Sequence, residues 1–533
     1  MRAQRSLRGL RTASHRRAGG PSRGLLRGSS RVAVLAGALS SVLVSGCAGE
    51  APPEGRDKAS VTLEPCGAVL ADAHCGVVSV PEDRSEPTGR RIDLRVVVAP
   101  ATGRDPAPDP VFLLAGGPGQ GAASFAGQLA PALAEIRRAR DLVFVDLRGT
   151  GSSQPLVCAF EDYGDLHELL GNDIALERID DCLADYARTL GEVDLSQYTT
   201  PTHAEDLDEV RAALGYREIN LLGISYGTRL ALVYMRAHPD HVRASVLDGV
   251  APPDINFSLA MPKNAEQSLR AVLADCEAQP ACARAFPGLE RKLLEVLARL
   301  GEARELREVT HPRTGAVERV DVSPAALLAA LRLALYSGEA SALIPWIIDR
   351  AHAGDFGPMA AMLVRMEQVS QSMSSGLYFS VSCAEDLAQL TPERRAGALA
   401  GQRLFTDATS LEQLEAVCAR WPHADLDAVA PDFREPVVSD VPTLLLSGRY
   451  DPVTPPSMAE ATLAHLGHAR HLVVESAHHG VWSRGCAPAL MAEFFASADP
   501  EASSGACLDT MTKPPFFLSA AGPRSPLAQG AQP

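Results

Sequence analysis

The chain has 533 residues, 46% of them hydrophobic, which is enough for a large buried core and more than one simple domain needs. Its 65 acidic residues outnumber 50 basic ones, for a formal charge of −15. Residues 1–46 hold nine Arg and no acid, so the remainder carries 41 basic against 65 acidic residues, or −24. Such a chain repels phosphate backbones and anionic headgroups. That excludes nucleic acid as a partner and leaves a covalent lipid as the only membrane tie to expect.

The apolar stretch from Val32 to Val44 is too short for a spanning helix, and its basic flank reads as a signal peptide over 1–46. It ends in Val44-Ser45-Gly46-Cys47, which resembles a bacterial lipobox with Cys47 as the lipidated new N-terminus. The alternative is a plain signal peptide with a chance Cys. The residues around Arg16-Arg17 do not fit a twin-arginine signal. Residues 47–60 form a polar tether. The expected location is the bacterial cell envelope, as a lipoprotein, or the medium.

The ten other cysteines fall into local couples: Cys66 with Cys75, Cys158 with Cys182, Cys276 with Cys282, Cys383 with Cys418, and Cys486 with Cys507. In an exported chain this is a disulfide pattern, although sequence does not fix the connectivity. No C-x-x-C or H-E-x-x-H occurs, and no metal is expected.

In chain order, Ile92, Leu94, Val96 and Val98 alternate as a half-buried strand does. Residues 111–114 and 142–145 are continuous apolar runs, as in a parallel sheet buried on both faces. Ala122 to Arg140 between them reads as helix. A second helix spans Thr202 to Leu214, with Thr202 and Glu205 as a capping box and Leu207, Val210 and Leu214 on one face. Strand 219–222 leads through Gly223-Ile224-Ser225-Tyr226-Gly227 into a helix from Thr228 to about Ala237, and 246–247 is another short strand. From 255 to 435 strand signals nearly vanish and helical runs dominate (289–300, 324–336, 396–403). Strands return at 443–446 and 471–474. The reading is an α/β fold, a mostly parallel sheet flanked by helices, with core segments 61–254 and 436–512, an inserted helical cap over 255–435, and a disordered tail over 513–533.

Gly223-x-Ser225-x-Gly227 between strand and helix matches a nucleophile elbow. Small residues on both sides let the chain double back and raise the hydroxyl over the sheet edge, beside a helix N-terminus that favours developing negative charge. A Ser hydroxyl needs a base, and the base an orienting acid. Asp451 follows strand 443–446 and is the expected acid; Asp248 is the rival. Thr454 is spaced to hydrogen-bond the Asp451 carboxylate. His479 after the last strand is the expected base, because Gly480 frees the loop that carries it; His478 is the rival. Of two oxyanion N–H groups, one is expected from Tyr226 and one from Gly117 in Ala115-Gly116-Gly117-Pro118-Gly119.

Together with Asp146-Leu147-Arg148-Gly149-Thr150-Gly151-Ser152 and Gly448-Arg449-Tyr450-Asp451-Pro452-Val453-Thr454-Pro455, these motifs resemble the proline iminopeptidase and tripeptidyl aminopeptidase family of α/β-hydrolases. The Ser-Tyr-Gly-Thr elbow, the Cys276/Cys282 couple and His479-Gly480 with Cys486 resemble its secreted tripeptidyl-peptidase-like branch. The resemblance implies an α/β-hydrolase fold over about 60–510, a peptide substrate, release of short N-terminal pieces, and no metal or organic cofactor. One departure is Ala115, where the loop usually begins with His. An aminopeptidase needs a carboxylate for the substrate's free amine, and Cys383-Ala384-Glu385-Asp386 in the cap offers Glu385 and Asp386. The other readings are a carboxylesterase with the same triad and an inactive binding lipoprotein.

Overall fold

The computed structural model describes residues 61–158, 165–171, 176–302, 306–370, 373–406, 409–502 and 504–523. The expected leader over 1–46, the lipidated Cys47 and the tether over 47–60 lie outside them.

Eleven strands occur among the described residues: β1 (Glu64–Pro65), β2 (His74–Pro81), β3 (Arg91–Ala99), β4 (Val111–Leu114), β5 (Leu142–Val145), β6 (Ile219–Ile224), β7 (Val242–Asp248), β8 (Leu306–Thr310), β9 (Val317–Asp321), β10 (Thr443–Gly448) and β11 (Ala469–Val474). Nine form one sheet in the order β1-β2-β3-β5-β4-β6-β7-β10-β11. From β1 to β5 neighbours run antiparallel; from β5 onward they run parallel. All four residues of β4 and of β5 are buried, because helices cover both faces of the parallel part. One apolar cluster centres on Phe112, Leu221 and Leu230 on one face, and another on Leu113, Phe144 and Phe494 on the other. β4 lies between β5 and β6, so the strand order reverses there; the crevice at the carboxyl ends of such a sheet is where ligands bind.

The helix expected over 122–140 is three short pieces, Ala126–Leu129, Ala130–Leu133 and Ala134–Arg137. Pro131 has no N–H to continue the first piece. The helix before β6 begins at Thr200, not Thr202, with Thr199 as N-cap. Thr202 therefore lies inside it and bonds the Thr199 hydroxyl at 3.0 Å, so the proposed capping box does not form.

The segment between β7 and β10 runs through helices from Phe257–Ala278 to Leu426–Val429, around its own core of residues such as Leu293, Leu331, Ile348 and Phe356. Three features differ from expectation. The hairpin β8–β9 interrupts the helices. Helix Leu166–Gly171, placed by sequence in the sheet domain, buries Leu166 and Leu170 in the cap cluster. Residues 513–523, expected to be disordered, dock on the cap: the Phe517 N–H donates to the Ala342 carbonyl at 3.0 Å, and Phe516 and Leu518 pack on its core. Proline and alanine content had suggested disorder, but two apolar anchors found a face to cover.

Five disulfides join Cys66–Cys75, Cys158–Cys182, Cys276–Cys282, Cys383–Cys418 and Cys486–Cys507, the same couples as in chain order. No helix among the described residues is long and apolar enough to cross a membrane.

Candidate active site

Ser225 caps β6 and precedes helix Tyr226–Ala237 with φ 56° and ψ −122°. A non-glycine residue held there costs about 1–3 kcal/mol. The surroundings enforce it: the Ser225 N–H donates to the Asp248 carbonyl at 2.9 Å, and its carbonyl accepts from the Thr228 N–H at 2.8 Å and the Thr228 hydroxyl at 2.6 Å. The flanking glycines are a steric necessity. A Cβ on Gly223 would stand 2.6 Å from the Gly227 carbonyl oxygen, and one on Gly227 would collide with the Leu114 carbonyl.

Asp451 follows β10 and is buried. Its Oδ1 accepts the N–H groups of Val453 and Thr454, both at 2.8 Å, and its Oδ2 accepts the Thr454 hydroxyl at 2.7 Å. Oδ2 also meets His479 Nδ1 at 2.7 Å. Thr454 Oγ1 lies 3.1 Å from the same ring nitrogen. Burial alone would push the Asp451 carboxyl up; the neighbouring His479 and the Thr454 bonds outweigh it and hold the group below the usual carboxylate range. Burial disfavours the charged His479 ring, but the Asp451 carboxylate prevails and raises its pKa. Tyr336, from the cap, packs T-shaped against the His479 ring with centroids 5.2 Å apart.

The two rivals have other partners. His478 is buried; its Nδ1 faces the Leu335 carbonyl at 2.7 Å, its Nε2 meets the Ser341 hydroxyl at 3.1 Å, and its ring stacks on Tyr450. It joins sheet to cap and points away from Ser225's cavity. Asp248 makes no hydrogen bond to His479. Its Oδ2 accepts the N–H groups of Val481 and Trp482 at 2.8 and 3.0 Å, which pins the loop that carries His479. Burial pushes this carboxyl up to about 6.

A cavity of about 420 Å³ joins these parts. Gly116, Gly117, Ser225, Tyr226 and His479 line it from the sheet side; Arg332, Tyr336, Tyr378 and Asp386 line it from the cap. Gly117 has φ 117°, which favours glycine. Gly116 passes so close that a Cβ there would be 3.2 Å from the Ser225 Cβ. Tyr226 occupies the first helical position, where the N–H has no intrahelical acceptor. Its phenol is held by the Thr200 hydroxyl at 2.8 Å and His203 Nδ1 at 2.9 Å.

The two cap acids separate. Glu385 is spent inside the protein: Oε1 accepts the Thr200 N–H at 2.7 Å and Oε2 binds Arg229 at 3.0 Å. The expectation that Glu385 meets the substrate's amine is therefore corrected, because a carboxylate with both oxygens engaged and no side-chain exposure has none left to offer. Asp386 does line the cavity, though its Oδ1 shares Arg229 at 3.3 Å. Sequence reading missed Arg229, Arg332 and Tyr336. Only Arg332 left a signal, as the single charge in an otherwise apolar helix. Elsewhere, Asp208, His238 and His241 bring ligand atoms within 4.8 Å of one another. The Arg211 guanidinium already spans the Asp208 carboxylate, which makes the group an ion-pair cluster.

The parallel sheet, its flanking helices and the strained strand-to-helix turn at Ser225 define an α/β-hydrolase fold. A family model described as the alpha/beta hydrolase fold matches residues 109–282, and one described as TAP-like protein matches 403–507. The chain is 34% identical over 215 residues to the tripeptidyl aminopeptidase of Streptomyces lividans, covering 37% of this chain and 39% of the relative. It is 32% identical over 227 residues to serine protease Hip1 of Mycobacterium tuberculosis, covering 39% and 42%. It is 33% identical over 231 residues to carboxylesterase B of the same species, covering 40% and 43%. The chain thus spans about two fifths of the length of the curated relatives it matches.

Proposed function

We propose that the chain is an exported serine exopeptidase that releases short N-terminal pieces from peptides through an acyl-enzyme. The observation that carries this reading is the 2.7 Å bond between His479 Nδ1 and Asp451, in a cavity shared with Ser225 on its strained elbow. His479 Nε2 takes the Ser225 proton as Oγ attacks the scissile carbonyl, and Asp451 stabilises the imidazolium that forms. The N–H groups of Gly117 and Tyr226 receive the oxyanion. His479 then protonates the leaving amine, the C–N bond breaks, and water repeats the sequence on the ester to free Ser225.

Asp386 is the remaining candidate for the substrate's amine. With Arg229 and the buried Glu385 it forms a cluster of one cation and two anions, so its cavity face is suited to an ammonium group. The test is a set of peptides with free and acetylated N-termini, read by mass spectrometry. Free peptides should be cut about a hundredfold faster in kcat/KM, because acetylation removes the charge that Asp386 would bind and adds bulk beside it, and Asp386→Asn should shrink the difference. Equal cleavage by the wild type removes the exopeptidase reading.

The second reading, a carboxylesterase, draws on the carboxylesterase B relative. Purified protein that turns over short acyl esters but no peptidyl amide would favour it. Absence of labelling by a fluorophosphonate would favour an inactive binding lipoprotein. Export as a lipoprotein rests on the leader and Cys47, and mass spectrometry of the mature N-terminus tests it.

A further inference from the structure

Helix Pro324–Ala334 reads Pro-Ala-Ala-Leu-Leu-Ala-Ala-Leu-Arg-Leu-Ala, one charge among apolar side chains. Ala326, Leu327, Leu328, Ala330, Leu331 and Ala334 are buried, while Arg332 lines the catalytic cavity. The two guanidinium groups of that cavity stand in different circumstances. Arg229 is neutralised by Glu385 and Asp386. Arg332 is half-buried, and its one hydrogen bond is a long one, 3.4 Å, to the Tyr336 hydroxyl. Among the described residues no carboxylate lies within ion-pair distance of it.

A cation partly removed from water without a counter-charge is a standing cost, and a planar guanidinium is shaped to accept a carboxylate on two parallel bonds. Its position says which part of a substrate would supply one. Tyr336, which Arg332 contacts, packs T-shaped against His479. The cation is therefore on the side of the cavity where the imidazolium hands its proton to the leaving amine. Tyr378 lines the same cavity as Arg332 and Asp386.

We propose that Arg332 is a carboxylate-recognition residue of the catalytic cavity, and that the preferred substrates are peptides whose leaving portion carries a carboxylate close to the scissile bond. That carboxylate is either the terminal one of a very short leaving piece or the side chain of an acidic residue. The proposal rests on the peptidase reading for its substrate, and deepens it: amine towards Asp386, carboxylate towards Arg332.

The test uses the full mature chain and matched peptide pairs that share one N-terminal part. In one arm the leaving piece ends in a free carboxylate or an amide; in the other its first residue is Glu or Gln, with the terminus amidated throughout. The wild type should favour the carboxylate partner by about tenfold or more in kcat/KM, mainly through KM. The arm in which the preference appears identifies the source. Arg332→Gln should bring that ratio close to one, and Arg332→Lys should keep part of it, since an ammonium retains the charge but not the fork. A wild-type ratio of one in both arms overturns the proposal even if no variant folds. So does a ratio that survives Arg332→Gln, or a variant that loses activity on both partners equally. If peptides are not cut but acyl esters are, the peptidase reading fails separately. The same ratio, taken on esters whose alcohol part bears a carboxylate or its amide, still decides the role of Arg332.

Discussion

Two helices show how the sheet domain and the cap contribute to the site. Tyr226–Ala237 packs under β6 with Tyr226 through Met235 all buried, and its first residue abuts Ser225. Pro324–Ala334 is buried along one side in the cap and presents Arg332 to the same cavity. In the first, backbone sterics fix Ser225: the glycines beside it admit no Cβ, and the loop after β10 gives Asp451 three hydrogen bonds, to which His479 adds a fourth. In the second, side chains supply charges from a frame held by apolar contacts. Under the proposed function, the sheet sets the chemistry and the cap sets what the chemistry is applied to. Substitutions on the two sides should be separable as changes in rate and in substrate preference.

The sharpest break is on the sheet side. Ser225→Ala and His479→Ala should each reduce kcat by about a millionfold with no change in the circular dichroism spectrum. A residual rate above about a tenth of wild type would dismiss the assignment. Asp451→Asn should cost about ten thousandfold, because the imidazole loses the partner that fixes its tautomer.

The same pair sets a pH limb. His479 must be neutral to act as base, and Asp451 favours its charged form, so kcat/KM should rise with pH through a midpoint above the ordinary 6.5. In Asp451→Asn the residual activity should show the midpoint moved down. A limb that does not move would detach Asp451 from the base.

His478 belongs to the contact between the two regions. His478→Ala removes the ring's bond to the Leu335 carbonyl and one of the two bonds of the Ser341 hydroxyl, which keeps its bond to Gly338, for a loss of about 2–4 kcal/mol, read as a lower urea midpoint. Its kcat should stay within about tenfold of wild type. If instead it behaves like His479→Ala, the base has been misassigned.

Acid should weaken the frame for a related reason. Burial holds the His203 ring down to about 3, against an ordinary 6.5. Between those values the unfolded chain binds a proton that the folded one refuses. Stability should therefore fall as pH drops from 6.5, by up to about 1.4 kcal/mol per pH unit from this group. Urea melts at pH 7 and 5 should show it, and His203→Gln should flatten the slope.

The smallest effect is expected at the docked C-terminal segment. Phe516→Ala with Leu518→Ala removes two half-buried side chains from the cap and should cost about 1–3 kcal/mol, visible in thermal melting and not in kcat. An unchanged melting curve would mean that the segment adds nothing to the cap.

Several of these features could be read from sequence because they are local. The buried runs 111–114 and 142–145 become strands at the same bounds, since a fully apolar tetrapeptide between turn residues has few other uses. The elbow is legible because Gly223 answers a clash with Gly227 and Thr228 within five residues, although Gly227 answers one with the distant Leu114 carbonyl. Asp451 and His479 are legible because each follows a strand, and the sheet's parallel register brings those strand ends together. The helix over 122–140 was misread where Pro131 broke a composition that otherwise favoured it. The tail over 513–523 was misread because its ordering depends on the cap surface it meets.

What sequence determined by itself is thus the serine on its glycine-flanked turn and the placing of Asp451 and His479 after strands. Each is set over a few residues or by strand order. What tertiary structure alone decided is which charges are spent and which are free. Glu385 and Asp386 are adjacent in sequence, yet one is consumed by Thr200 and Arg229 and the other opens on the cavity. Arg229 and Arg332 are the same side chain, yet only Arg229 has carboxylates beside it. The partners come from segments more than a hundred residues away. A charge's function depends on what remains unpaired after packing, so that decision is made only when the cap closes on the sheet.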